Sequence, residues 1–442
     1  MSTRPNASVA FMLRALRYRN YRLFFGGQIV SLAGSWITTT ATSWLVYRLT
    51  GSAVLLGLVG FAGQFPAFLL GPFAGILIDR WDRRRLLIVT QVISMLESFA
   101  LAALTLSGRI TVEAILVLNV VQGIVNAFDM PGRQAFLSAM IENKDDLPNA
   151  IALNSSMVNL ARLVGPSVAG IIIAAVGEGW CFAIDGISYC AVIVALLRMR
   201  IARSPARPAG DRHAVADFLE GLRYAIGFHA IRSVILLLAV VSLVGVPYSV
   251  LMPVFAATVF QGGPHTLGLL MTSSGCGALL GALWLAGRRS VVGLGRVIPT
   301  AAAVFGLGLI GFSLASTLWF AIPCLVVAGF GFMVQMASSN TIVQTIVDDE
   351  KRGRVMSFYM MAFLGTAPFG SVIAGWMSSR IGAAHTLQIG GVCCLAAAAV
   401  FARALPAIRA GVRPIYVRLG ILPEMTAGLA TAAEASVPPE RT

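Results

Sequence analysis

Gly75-Ile-Leu-Ile-Asp79-Arg80-Trp81-Asp82-Arg83-Arg84-Arg85-Leu86 joins two long apolar runs, residues 54–78 and 86–106, through a short segment crowded with charge. Each run reaches the roughly 20 residues that a helix needs to cross a hydrocarbon core about 30 Å thick. The charged segment is then a loop at one membrane face, between two antiparallel spans. Gly71 and Gly75 form a small-x-x-x-small pattern, which lets a neighbouring helix approach closely. Asp79 stands where the helix leaves the lipid, placed to attract Arg83 and the positive N-terminal end of a facing helix. The stretch reads as a latch whose strength depends on salt.

The rest of the chain repeats this pattern. Of 442 residues, 57% are hydrophobic and 12% charged, with a mean hydropathy of +0.82. A soluble domain carries about 25% charged residues, so a water-soluble globule is excluded. Apolar runs cover 23–47, 54–78, 86–106, 114–140, 150–176 and 180–199, then 234–260, 267–286, 297–315, 318–346, 355–378 and 383–404. The pattern predicts an all-α membrane protein with twelve transmembrane helices in two six-helix halves. Its divisions are an N-terminus 1–22, a first half 23–200, a linker 201–231, a second half 232–405 and a tail 406–442. In the linker, Val215, Phe218, Leu219, Leu222 and Ile226 recur at helical spacing, predicting an amphipathic surface helix. A weak repeat relates the halves. Gly165-Pro166-Ser-Val-Ala-Gly170 in the fifth run matches Pro368-Phe-Gly370-Ser-Val-Ile-Ala-Gly375 in the eleventh, and duplicated halves are common in secondary transporters.

The net charge of +14 would suggest nucleic acid in a soluble protein. Here the cations sit in clusters between spans, as expected where positive charge stays on the cytoplasmic side. With the N-terminus inside, the outer loops hold only Arg48, Arg109 and Arg380. The six cysteines lie in apolar runs with no Cys-x-x-Cys pair, and the four histidines fall outside the span centres, so no metal site is expected. No Gly-x-x-x-x-Gly-Lys-Ser/Thr loop and no His-Glu-x-x-His pair is present, so neither a nucleotide-driven pump, a cofactor nor an enzyme is indicated.

The segment around Asp79 resembles the loop signature of the major facilitator superfamily, Gly-x-x-x-Asp-Arg-x-Gly-Arg-Arg, with Asp82 where the pattern usually has Gly. Asn126-Ala-Phe-Asp129-Met-Pro131-Gly-Arg133-Gln134-Ala-Phe, Leu147-Pro-Asn149-Ala-Ile-Ala-Leu-Asn154-Ser-Ser and Arg352-Gly353-Arg354-Val-Met-Ser look like the drug:proton antiporter branch that includes bacterial macrolide and enterobactin exporters. The resemblance covers nearly the whole chain. It implies the major facilitator fold, with two pseudo-symmetric halves, in the bacterial cytoplasmic membrane with both termini cytoplasmic. It also implies a monomer that exports a small amphipathic organic molecule, drug-like or siderophore-like, by alternating access in exchange for protons. An uptake permease of the same fold and a non-transporting membrane sensor are the other readings.

An ionisable residue inside a span is a functional candidate by default. Asp129 and Arg133, four apart, share a helix face and can pair. The resemblance assigns them, with Asp79 and Arg83, to a charge relay that gates the cytoplasmic side; ordinary stabilising ion pairs are the alternative. Glu97 lies near the middle of the third run with no cation four residues away. It reads either as a proton carrier or as a neutral group hydrogen-bonded to a neighbouring helix. Arg162 lies near the middle of the fifth run, too deep for its stem to reach water fully. It reads either as a contact for a substrate anion or Glu97, or as part of a structural pair within the first half. Asn119-Val-Val-Gln122-Gly123 stands where many antiporters of the superfamily have Arg-x-x-Gln-Gly. Gln28, Trp36, Gln64, Asn119, Gln122, Asn126, Gln335 and Asn340 are candidates to line a central cavity.

Overall fold

The computed structural model describes residues 13–200, 223–288 and 290–421. The side chains at Pro72, Gly75, Ile76, Asp79, Arg80, Asp349 and Glu350 are not among the described ones. Most of the predicted linker helix, from Val215 to Leu222, therefore lies outside the described residues. Twelve long helical rods and no strand occur among the residues described. The first six are α1 (Arg19–Thr50), α2 (Ala53–Arg80), α3 (Arg83–Leu106), α4 (Val112–Leu137), α5 (Leu147–Val176) and α6 (Glu178–Arg198). The second six are α7 (His229–Val259), α8 (Pro264–Ala286), α9 (Leu294–Ser313), α10 (Leu318–Ile346), α11 (Asp349–Ile381) and α12 (Ala383–Arg418).

Local chemistry sets the ends. The Ser52 hydroxyl accepts from Leu55 N at 3.3 Å and the Thr111 hydroxyl from Ala114 N at 3.3 Å, capping α2 and α4. The single-residue turns α5–α6 and α11–α12 fall at Gly177 (φ 90°) and Gly382 (φ 85°), backbone positions that a side chain would strain. These turns occupy equivalent places in the two halves. The sequence misjudges some limits. α11 begins at Asp349 and α12 runs on to Arg418 through Pro406 and Pro414, well into the stretch assigned to the tail. α7 is interrupted by π-helical turns at Val241–Gly245 and Phe255–Val259, which no apolar period announces.

Eleven of the rods are long and apolar enough to cross a membrane. The other, α1, has 32 residues, about 48 Å at 1.5 Å per residue, but is diluted by polar side chains. Gln28, Ser31, Ser35, Thr38 and Thr42 are spaced three and four apart, so they share one face. That face turns inward: Gln28 and Ser31 are 2% exposed and Thr42 6%. Low hydropathy here records a buried polar face, not a surface helix.

The halves meet along two crossings, α2 with α11 and α5 with α8. Small residues permit them. A Cβ at Gly375 would stand 2.5 Å from Ala53 O, one at Gly170 would stand 2.8 Å from Pro264 O, and one at Gly268 would stand 2.6 Å from Pro166 O. The repeated glycine-proline segments of α5 and α11 are thus the crossing segments themselves. Phe61 stacks on Phe65 at 4.6 Å, and both meet Phe369 edge-on at 5.7 and 6.0 Å. Across α5 and α8, Ser167 and Thr272 share a hydrogen bond of 2.6 Å. The α2 contacts with α11 include Ala53 beside Gly375 and Phe68 beside Gly365, while Gly71 has nothing within 4 Å of where a Cβ would stand. The close helix neighbour expected at Gly71 is therefore absent in this conformation.

Candidate functional site

Three polar sites lie inside the first half, and each starts from a local feature of the chain. At the arginine-rich end, Asp82 takes the place of the usual glycine because it caps α3, its Oδ1 accepting from Arg84 N (3.0 Å) and Arg85 N (3.2 Å). Its φ of −65° needs no glycine. Arg84 donates to Leu196 O (2.8 Å) and Leu197 O (2.7 Å), satisfying carbonyls in the last turn of α6. Arg83 donates to Ala135 O at 3.2 Å, tying α3 to the end of α4. The arginines of this loop thus close helix ends. The Asp79 side chain lies outside the described residues.

One level deeper, Asp129 and Arg133 pair as their spacing predicts. Asp129 is 1% exposed and also accepts from the Thr90 hydroxyl (2.9 Å) and Gln91 Nε2 (2.8 Å) on α3. Arg133 donates onward to Gln28 Oε1 on α1 at 2.8 Å. The pair therefore binds α1, α3 and α4 of one half together. In this conformation it spans no gap between halves.

The third site holds Glu97 and a residue that sequence reasoning missed, Asp185 on α6. Glu97 is 6% exposed and Asp185 1%. Ser98 Oγ lies 3.0 Å from Asp185 Oδ2 and 3.4 Å from Glu97 Oε2, bridging the two carboxyls. Thr38 on α1 donates to Asp185 at 2.9 Å and Ser188 adds a longer contact of 3.4 Å. Among the described residues no cation pairs with either acid. The signal for Asp185 was present, an acid alone in the apolar run 180–199.

Arg162 meets neither acid, which removes the expected Glu97 contact. Its guanidinium lies over the Trp36 ring at 5.7 Å, because the glycine at 165 brings α5 close against α1. The cavity candidates divide. Gln64 is exposed, while Trp36, Asn119, Gln122, Asn126 and Asn340 are half-buried. Gln28 and Gln335, 2% and 0% exposed, are drawn into the two halves by Arg133 and by Ser339, so they do not form an open wall.

Comparison with known proteins agrees with this architecture. The family described as transmembrane secretion effector matches residues 11–414. The chain is 26% identical to the staphyloferrin A transporter of Staphylococcus aureus over 86% of its length and 95% of that protein. It is 27% identical to the multidrug efflux pump Tap of Mycolicibacterium fortuitum over 79% and 87% of the two chains. It is 23% identical to macrolide efflux protein A of Streptococcus pyogenes over 86% and 96%. Among solved structures, a POT family transporter superposes with a TM-score of 0.71 at 11% identity, covering 88% of this chain and 96% of that one. The nucleoside transporter NupG gives 0.64 at 17%, covering 89% and 98%. These likenesses establish the fold. With two six-helix halves crossing through paired small-residue segments and a family match over almost its full length, the chain belongs to the transmembrane secretion effector family of major facilitator transporters.

Proposed function

We propose that this multi-pass membrane protein works in the bacterial cytoplasmic membrane as a monomer with both termini inside. It exports a small amphipathic molecule, drug-like or siderophore-like, by alternating access in exchange for protons. The observation that carries this reading is the seam between the halves. Glycines at 375, 170 and 268 bring backbone against backbone where α2 crosses α11 and α5 crosses α8, a small-residue contact that two rocking halves can part and remake. The relatives' names, a siderophore transporter and two drug efflux pumps, support outward transport of an organic cargo.

Proton exchange draws support from the Glu97–Asp185 site. Ser98 has one hydroxyl proton and two carboxyls to serve, so a second proton on one carboxyl completes the bridge. Asp79, Arg83, Asp129 and Arg133 act at the cytoplasmic gate. Asp129–Arg133 keeps one half rigid, and Asp79 with Arg83 meets the other half when that mouth shuts.

The test uses everted membrane vesicles energised to an acidic interior and loaded externally with a labelled macrolide or a carboxylate siderophore. Accumulation that collapses with the proton gradient is the expected result, and Asp185→Asn and Glu97→Gln should each uncouple it. Accumulation only in right-side-out vesicles would make the protein an uptake permease. No movement in either orientation would make it a sensor. Gradient-dependent export that persists in both variants would place the proton carrier elsewhere.

A further inference from the structure

We propose that Arg162 and Trp36 form the site that recognises an anionic group on the cargo, so that the cargo is an organic anion with an apolar body. This rests on the export reading above and narrows it. The argument begins with an unbalanced charge. A guanidinium within a membrane span is costly and is almost always paired. Among the described residues Arg162 has no acid partner and no hydrogen-bond acceptor. Among the described residues, the acids in the interior of this half are engaged: Asp129 by Arg133, Thr90 and Gln91, and Asp185 by Thr38, Ser98 and Ser188. Glu97 turns to Ser98. The indole of Trp36 covers one face of the guanidinium at 5.7 Å, and its N–H edges are left to point elsewhere.

The location fits a ligand. The next residue, Leu163, packs on Gly275 of α8. Arg162 therefore stands beside the crossing of the two halves. Toward the N-terminal end of α5, Ser155 and Asn159 lie seven and three residues before it on the same face, with Ser155 exposed and Asn159 half-buried. An entering molecule would meet hydroxyl and amide groups first and a planar fork of donors at the bottom. That fork matches a carboxylate bidentately, and the neighbouring indole suits an aromatic or aliphatic body. The anion supplies the countercharge that the protein omits.

The test is direct binding to the purified full-length transporter in detergent, with dansylglycine as the anionic probe and its methyl ester as the neutral one. The wild type should bind the carboxylate at least about tenfold more tightly than the ester, as expected for one charge-assisted contact. Arg162→Gln should erase that preference while ester binding persists, which also reports that the variant is folded. Arg162→Lys should retain part of it, and Trp36→Phe should weaken both probes. A wild type without preference, a wild type that binds neither probe, or a preference that survives Arg162→Gln would overturn the proposal. Export in vesicles is scored separately, so a transporter that moves neutral cargo and ignores charge defeats this inference and leaves the export reading intact.

Discussion

Adding a single methyl group at Gly268 should turn the transporter inside out. In the conformation described here, a Cβ at that position would stand 2.6 Å from Pro166 O, a backbone atom that cannot swing aside. Side-chain carbons do not approach closer than 3.0 Å, so α5 and α8 must separate at that point. Overpacking of this kind costs about 1–3 kcal/mol. The cost falls only on the state in which this end is shut. The gain in helix propensity from Gly to Ala, about 1 kcal/mol, is present in both states and cancels. The equilibrium between the two open forms should therefore shift by about 5- to 150-fold toward the form open at the α5–α8 crossing. The assay replaces the six native cysteines and places a reporter at Ser371, which is 2% exposed between the halves, or at Ser156, exposed toward the N-terminal end of α5. With a membrane-impermeant maleimide, Gly268→Ala should raise the Ser371→Cys to Ser156→Cys labelling ratio at least about fivefold. An unchanged or lower ratio would refute the claim that this crossing closes and opens during the cycle.

The mirror experiment is Gly71→Leu. It fills the open space beside α2 and should hold the arginine-rich mouth open, abolishing export and leaving binding from that side intact in the same labelling assay. Asp129→Asn strands Arg133, whose side chain is 24% exposed, and should destabilise the purified protein by up to about 3 kcal/mol after allowance for that exposure. Thermal unfolding followed by tryptophan fluorescence checks this, and a wild-type midpoint would contradict it. Asp82→Ala removes a cap and should cost about 1 kcal/mol, whereas Asp82→Gly should cost only about a few tenths. The same unfolding assay should rank the two variants in that order.

The parts of the molecule legible in its sequence are those set by local pattern. Runs such as 86–106 and 180–199 announce helices because lipid demands a fixed apolar length, and Asp129 and Arg133 announce their pairing because helical spacing forces it. Asp185 is legible as a buried acid but not as the partner of Glu97, since α3–α6 packing alone brings together two residues so distant in sequence. Arg162 shows the converse. Its depth in the run is readable, yet only the tertiary approach of α5 to α1 reveals that tryptophan, and no acid, lies against it. Gly71 is misread for a further reason. A small-x-x-x-small pattern records a contact that the chain can make, and a protein with two working conformations makes some of its contacts in only one of them.

That last point explains how chemistry is divided across the fold. The ion pairs Arg48–Glu178, Arg14–Asp146 and, within α4, Asp129–Arg133 each lie on one side of the seam. The crossings between halves are built instead from glycine, phenylalanine and neutral hydroxyl contacts such as Ser167–Thr272. Parting a buried ion pair strands a charge at a cost of several kcal/mol, whereas releasing one neutral hydrogen bond costs about 1 kcal/mol and separating packed small residues little more. A rocking transporter must break and remake its interface in every cycle. Fixed charges within each half preserve the shape of the moving bodies, and crossings built from these neutral contacts help keep the two open forms close in free energy. In such a design a charge at the junction of the halves that has no acid partner among the described residues, as Arg162 has none, is free to be answered by whatever the transporter carries.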